Sequence, residues 1–343
     1  MFKEEKMKDI YILGIETSCD ETSASIVKNG IEVLSLVINS QIEEHKKYGG
    51  VVPDLASRMH VEAISTVVEK AILESGIKKE DIDAVAYTKG PGLIGALLVG
   101  VSFAKAYAYA LKIPFIPVHH IEGHIAANYI SHPELKPPYL ALVISGGHTH
   151  LIHIKDYTNY EIIGKTKDDA VGEAFDKVGR VIGLSYPGGP KIDKLAYDGK
   201  DNISLPTPKV DGLNFSFSGL KTHVINYAHN KEQKGEEISK EDLSKSFTDK
   251  VIEILLDKTL KASKMLGIKK IAISGGVSAN SHIRREFLNL KDKGYDIFFP
   301  EFIYCTDNAA MVAAQGYFEF LENTRGKLSD DAVPNLKIGE WRN

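Results

Sequence analysis

What most restricts this chain is a pattern that it spells twice. Residues 11–15 form an apolar run, a polar turn covers 16–21, β-branched alternation continues to Val27, Asn29-Gly30 makes a tight turn, and a third apolar run spans 31–38. That is the signature of an antiparallel meander. Downstream, Val61, Ile64, Val67, Val68, Ala71 and Ile72 recur at helical spacing with Gly76 as the stop. A short strand at 84–87, the loop Lys89-Gly90-Pro91-Gly92 and an apolar helix at 96–111 complete the module. After the proline-bounded stretch 133–138 the same grammar restarts: a run at 140–144, the turn Ser145-Gly146-Gly147, a strand at 148–154, a turn at 157–159 and a strand at 160–163. A long helix at 240–266, a strand at 271–273, the loop Ser274-Gly275-Gly276-Val277-Ser278-Ala279-Asn280 and a helix to about Leu290 follow. Two copies predict an α/β protein of two similar domains, produced by internal duplication and facing each other across a cleft. The polar segment 231–245 reads as a mobile insertion.

Composition narrows the partners. Lys and Arg total 42 against 46 Asp and Glu, so no global positive field advertises nucleic acid. An RNA site must be a local patch, for which the candidates are Lys46-Lys47, Arg58, Lys78-Lys79, Arg180 and Arg284-Arg285. The two cysteines, Cys19 and Cys305, form no C-x-x-C pattern, which argues for a reducing compartment and a cytoplasmic location. Residues 1–9 are charged and lack the apolar core of a secretory signal. The run 96–111 falls short of the roughly 20 apolar residues that a bilayer demands, so it reads as a buried helix and no membrane association is expected.

His120 and His124 stand four apart, so on a helix both rings project from one face and can share a metal. A zinc-protease reading fails here, because Glu122 stands two positions after His120 and points about 200° away round the helix. The glycine-rich loops are phosphate or nucleotide candidates, since glycine lets backbone N–H groups approach an anion. Gly189 and Gly276 are expected to adopt positive φ there.

At this point the motifs converge. Gly14-Ile15-Glu16-Thr17-Ser18-Cys19-Asp20-Glu21-Thr22, Tyr48-Gly49-Gly50-Val51-Val52-Pro53, Lys89-Gly90-Pro91-Gly92-Leu93, His120-Ile121-Glu122-Gly123-His124 and the 274–280 loop resemble those of the TsaD family, the bacterial tRNA N6-adenosine threonylcarbamoyltransferases. The resemblance runs over essentially the whole chain, and Ser145-Gly146-Gly147-His148-Thr149-His150-Leu151 looks like the bacterial branch. It implies two RNase-H-like domains of the actin and sugar-kinase type, the first at 1–132 completed by 307–343 and the second at 133–306. The implied reaction transfers threonylcarbamoyl from threonylcarbamoyl-AMP to N6 of the adenosine 3′ to the anticodon in tRNAs that read ANN codons, releasing AMP.

The resemblance also implies roles residue by residue. Asp307 would join His120 and His124 around one divalent metal with open positions, a set that suits Fe2+ and also fits Zn2+. Val143, Ile144, Ser145, Gly146, Gly147, Asp176, Gly189, Asp193 and Asn280 would contact the adenylate, with Asp193 suited to a ribose diol. The exocyclic amine of adenine must lose a proton as it attacks, and Asp20, with Glu16 second, is the candidate base. A TsaB-like paralogue, covering the apolar helix at 96–111, and a TsaE-like ATPase are expected partners beside tRNA. A small-molecule phosphotransferase of the same superfold is the alternative, as is a non-catalytic actin-like binding module; a sugar or carboxylate kinase would leave His120, His124 and Asp307 without a role.

Overall fold

The structure, a computed structural model, describes residues 8–339 and Arg342; the charged start of the sequence before Lys8 lies outside the described residues. In chain order the elements are β1 (Tyr11–Glu16), β2 (Glu21–Lys28), β3 (Glu32–Ser40), α1 (Ile42–Lys46), α2 (Pro53–Ser75), β4 (Ala84–Gly90), α3 (Ile94–Leu111), β5 (Phe115–His119) and α4 (His120–Ser131). They continue with β6 (Tyr139–Ile144), β7 (Thr149–Asp156), β8 (Asn159–Lys165), α5 (Val171–Val181), α6 (Gly189–Leu195), α7 (Ser218–Gln233), α8 (Lys240–Leu266), β9 (Lys270–Ser274), α9 (Ser281–Leu288), β10 (Asp296–Phe298) and α10 (Ala309–Leu321). The chain divides into two compact units. One holds residues up to Ile42, Val52–Glu134 and everything from Asp307; the other holds Glu43–Val51 and Leu135–Thr306.

Each unit contains a five-stranded sheet, and the two orders are the same: β3-β2-β1-β4-β5 in the first and β8-β7-β6-β9-β10 in the second. The first three strands of each pair antiparallel, and the remaining strands join parallel to the meander's first strand. The hairpin turn of the first copy is the one its residues demand, with Asn29 and Gly30 both at positive φ. Strand periodicity sorts the faces of the first sheet. Leu13, Ile15, Ala24 and Ile26 pack with Ile64, Val67 and Val68 of α2 and Leu97, Val101 and Ala104 of α3. On the opposite face α10 comes so close that a Cβ at Gly14 would meet the Ala309 carbonyl oxygen, and one at Gly316 would meet Ala86. In the second unit Leu140, Leu142, Ile144, Ile271 and Ile273 pack with Phe175 of α5, Phe247 and Val251 of α8 and Phe287 of α9.

Three expectations need correction. Val61 does not lie on the buried stripe of α2: it is exposed, and His60 and Ala56 take the sheet-facing positions instead. The apolar helix α3 is not buried all round. Its buried face is the stripe Ala96, Leu97, Gly100, Val101, Ala104 and Ala108, while Ile94, Leu98 and Tyr109 are exposed. By length and composition it is the one described helix able to cross a membrane, yet its inner stripe is spent on the sheet and its Lys105 ammonium donates to the carbonyls of Leu328 and Asp330. Finally, the insertion expected at 231–245 is helical at both ends, since α7 runs to Gln233 and α8 starts at Lys240 behind the Ser239 N-cap, which leaves only 234–239 outside helices.

Candidate functional site

Strands β1, β4 and β5 run parallel, so their carboxyl ends share one edge of the first sheet, the edge at which open α/β sheets gather ligands. Glu16 ends β1, and α4 begins at His120 directly after β5. The ring of His119 caps α4, accepting from the Ile121 N–H at 3.1 Å. One helical turn separates His120 from His124, whose ring centroids are 4.7 Å apart. Asp307 arrives from the other side, just ahead of Asn308, whose side chain caps α10 by accepting from the Met311 N–H at 3.0 Å. The Ala309 N–H is tied to Ser23 Oγ of β2 at 3.0 Å, which fixes where that helix starts.

Asp307 Oδ1 lies 3.5 Å from His120 Nε2 and 3.2 Å from His124 Nε2. Ligands held about 2.0–2.2 Å from a common cation stand roughly 3.0–3.5 Å apart, which both Asp307 distances match, and all three donor atoms lie within 4.8 Å of one another. The donor chemistry agrees. Among the described residues neither buried ring nitrogen of His124 makes a hydrogen bond, and Nε2 stands 3.2 Å from Asp307 Oδ1, an arrangement that coordination would satisfy. Burial disfavours a charged His120, but the carboxylates of Asp307 and Glu16 outweigh it and hold the ring at about 9. Electrostatics that retain a proton there favour a dication as well. The far nitrogen of His120, Nδ1, sits 3.2 Å from Glu16 Oε2 and 3.2 Å from Ser18 Oγ. This carboxylate–histidine arrangement is the one that orients metal-ligating imidazoles.

Glu16 is fully buried and fully engaged: besides His120 it accepts from the Ser18 N–H at 2.5 Å and from Thr88 Oγ1 at 2.7 Å. The roles of Ser18 and Thr88 escaped the reading of the sequence, because nothing local marks the Thr88 hydroxyl as the partner of a carboxylate 72 residues away or the Ser18 hydroxyl as the neighbour of an imidazole 102 residues away. Asp20 is buried beside Glu21. Burial, with Asp20 and Asp307 nearby, pushes the Glu21 carboxyl up to about 10, so it keeps its proton at neutral pH. Burial and the same acids push the Cys19 thiol up too, which makes it a poor nucleophile. Glu122 does point away from the metal face: it is buried against the Arg342 guanidinium.

The residues expected at the adenylate all lie in the second unit: 143–147 and Asn280 at or beyond the carboxyl ends of the parallel strands β6 and β9, Asp176 on α5, and Gly189 and Asp193 on α6. Val143 and Ile144 end β6 with buried side chains, which leaves only backbone for a ligand. Ser145 is locked into the turn, its N–H donating to the His148 carbonyl at 2.8 Å, while Gly146 and Gly147 are exposed with open space around them. The start of α5 abuts this turn through the Gly172 N–H and Ser145 carbonyl. Asp176 accepts from the N–H groups of Gly188 and Gly189 at 2.7 and 3.4 Å; burial nonetheless raises its carboxyl above the usual range. Asp193 of α6 accepts from the Ser281 N–H at 2.9 Å, Ser281 Oγ at 2.8 Å and His282 Nδ1 at 2.7 Å. Asn280 caps α9, its Oδ1 accepting from the Ile283 N–H at 2.9 Å.

The glycine expectation fails at Gly189 and moves by one position at Gly276. Neither Gly189 nor Gly276 has positive φ. Gly275 does, at +88°, and a Cβ there would stand 2.4 Å from the Ile144 carbonyl oxygen. Four of the eight basic residues proposed for RNA pair with neighbouring acids at the surface: Lys46 with Glu43, Lys47 with Glu44, Lys79 with Glu80 and Arg285 with Glu286. Arg284 is clamped by the Ser278 and Pro300 carbonyls and the rings of Phe299 and Phe302.

Two copies of one sheet order, each presenting a polar site at its strand ends, define an actin-like α/β protein. HypF of T. kodakarensis shares that fold, with a TM-score of 0.64 and 14% identity over 95% of this chain and 49% of that one. The family model described as "TsaD: tRNA N6-adenosine threonylcarbamoyltransferase" matches residues 32–314. Proteins named tRNA N6-adenosine threonylcarbamoyltransferase from Clostridium novyi and Clostridioides difficile are 53% and 54% identical, over 97% of this chain and 99% and 100% of theirs. The chain belongs to the TsaD family.

Proposed function

We propose that this chain transfers the threonylcarbamoyl group from threonylcarbamoyl-AMP to N6 of the adenosine 3′ to the anticodon in tRNAs reading ANN codons. The observation that carries this reading is the similarity to tRNA N6-adenosine threonylcarbamoyltransferases along nearly the whole chain. A sugar or carboxylate kinase is not favoured by it. In this reading the two units are the two actin-like domains, 1–132 completed by 307–343 and 133–306.

His120, His124 and Asp307 would hold one divalent metal, Fe2+ by preference, which supplies a Lewis acid for substrate oxygens. Glu16 keeps the His120 ring turned toward the ligand position, so of the two candidate bases Asp20 takes the proton that N6 loses. The new bond joins N6 to the carbamoyl carbon, the bond from that carbon to the phosphate oxygen breaks, and AMP leaves. The open N–H groups of Gly146 and Gly147 suit the charge on the departing phosphate. Asp176, Gly189, Asp193 and Asn280 would complete the adenylate site, and Asp193, whose carboxylate is held by Ser281 and His282, would offer its remaining acceptor capacity to the ribose diol.

A TsaB-like paralogue on the exposed apolar residues of α2 and α3, a TsaE-like ATPase, and a cytoplasmic setting complete the proposal. The test is mass analysis of tRNA nucleosides after incubation with threonylcarbamoyl-AMP and the companions. Threonylcarbamoyladenosine should form with the native chain and disappear with His120→Ala or Asp307→Ala. Its absence with the native chain, or its full yield with either variant, overturns the reading.

A further inference from the structure

The two helices that bring the metal ligands together are α4, with His120 and His124, and α10, whose first turn follows Asp307. Each also carries a glutamate with no exposed surface, Glu122 on α4 and Glu319 near the far end of α10. Both carboxylates meet the same group. The Arg342 guanidinium donates to Glu122 through Nη1 at 3.3 Å and through Nη2, and to Glu319 through Nε at 3.0 and 3.3 Å and again through Nη2. Glu319 is further fixed by Gln315 Nε2 at 3.1 Å and Thr324 Oγ1 at 2.7 Å.

Burying two carboxylates is expensive, and nothing in the packing of α4 on α10 requires either. Tyr129 already meets Phe318 edge to face at 5.1 Å, and Met311 lies against Gly123. What the ion cluster adds is direction. A planar fork with fixed donors couples two acceptors at a set separation, which apolar contact does not. The approach of Arg342 is guided as well. The segment before it is laced to β4 and β5: the Gly326 N–H donates to the Phe115 carbonyl at 2.8 Å, the Val333 N–H to the Lys89 carbonyl at 2.9 Å, and His119 Nε2 to the Leu336 carbonyl at 3.1 Å. That last bond orients the ring that caps α4 one residue before the first ligand.

We propose that Arg342 is a positioning residue for the metal site: by bridging Glu122 and Glu319 it sets the separation of α4 and α10, and with it the distance from Asp307 to the two histidines. The inference rests on the metal-site reading above. Partners one step removed from a metal typically change its affinity 10- to 100-fold, and ligand positions tolerate only a few tenths of an ångström.

The experiment is a Zn2+ titration of the full-length chain against a chromophoric chelator, with thermal melting recorded on the metal-free protein. Native protein should bind one Zn2+. Arg342→Ala should raise its Kd about 10- to 100-fold, and Arg342→Lys, which restores charge without the fork, should fall between. Glu122→Gln should weaken binding similarly, and adding Arg342→Ala to it should cost little more, because both act through one bridge. Native-like Zn2+ affinity in a folded Arg342→Ala, or losses that simply add in the double variant, overturns the proposal. If Arg342→Ala does not fold, Arg342→Lys and Glu122→Gln are read by the same criterion, and native affinity in both overturns it. Failure of the native chain itself to bind Zn2+ or Fe2+ refutes the metal site instead.

Discussion

The closest test of how the fold makes the site is one methyl group at Gly14. A Cβ there would lie 2.2 Å from the Ala309 carbonyl oxygen, 2.8 Å from the Ala313 nitrogen and 2.9 Å from the Ala313 Cβ. Non-bonded atoms are comfortable at about 3.5 Å, so Gly14→Ala requires α10 to retreat from the sheet by roughly 1 Å. Overpacking of this kind costs about 1–3 kcal/mol. The retreat falls on the first turn of α10, two residues after Asp307, whereas His120 and His124 belong to another helix. The three ligand atoms now lie within 4.8 Å of one another, and a 1 Å displacement exceeds the few tenths that coordination tolerates. Gly14→Ala should therefore lower the melting temperature and also raise the Kd for Zn2+, by at least the roughly tenfold associated with disturbed supporting contacts. The control is Gly164→Ala in the second unit, where a Cβ would stand 2.3 Å from the Leu213 carbonyl oxygen. It should lose comparable stability and keep native metal affinity. If Gly14→Ala melts early yet binds Zn2+ as the native chain does, seating of α10 does not set the site, and the reasoning fails.

Three further outcomes are expected. Gly275→Val should reduce adenylate binding measured by calorimetry and cost roughly 1–3 kcal/mol in stability, because a β-branched residue at positive φ collides with the Ile144 carbonyl; Gly276→Ala, with no atom nearer than 4.0 Å, should be tolerated. Burial disfavours the Asp169 charge, but Lys221 and Lys177 outweigh it and hold the carboxyl below its usual range. Its folded-state value therefore lies under the unfolded one, so its stabilisation is complete above about pH 4 and is lost as pH falls through the folded value. Asp169→Asn should flatten the loss of stability between about pH 5 and about pH 3 in urea titrations, and an unchanged slope would remove Asp169 from the account. Leu98→Glu and Tyr109→Glu, on the exposed face of α3, should abolish stimulation of transfer by a TsaB-like companion while metal content stays native; stimulation that survives both places the companion elsewhere.

Eight of the ten strands described, and several of the turns, were legible because each depends on neighbours in sequence: alternation for β2, Asn29-Gly30 for the hairpin, Gly76 behind α2; β5 and β10, both short, went unread. The histidine pair was legible for the same reason. What escaped was settled by distant contacts. Helix α10 is buried on nearly every side, so Ala309–Leu321 has no polar face to betray a helical period. Val61 has the right spacing for the α2 stripe and loses its place to His60, whose ring is held by Thr22 at 2.7 Å and the Cys19 carbonyl at 2.9 Å. Asp307 reached the metal set only through the family resemblance, and no local pattern marks Glu16 as the partner of His120 or Arg342 as the partner of Glu122.

The division of the chain has a consequence for its synthesis. The first unit is interrupted after Glu134 and resumes only at Asp307, with nearly all of the second unit made in between. On the ribosome, β1 to α4 emerge early with both histidines in place, but the third ligand and the helix that covers the inner face of the first sheet arrive last. Until then that face, lined by Ile12 and Gly14, has no partner within its own unit. The intervening unit is nearly continuous in sequence and builds its core without waiting, in keeping with domains that fold as they emerge. Completion of the metal site thus waits for synthesis past residue 307, and a product arrested between residues 124 and 307 carries two histidines and no site.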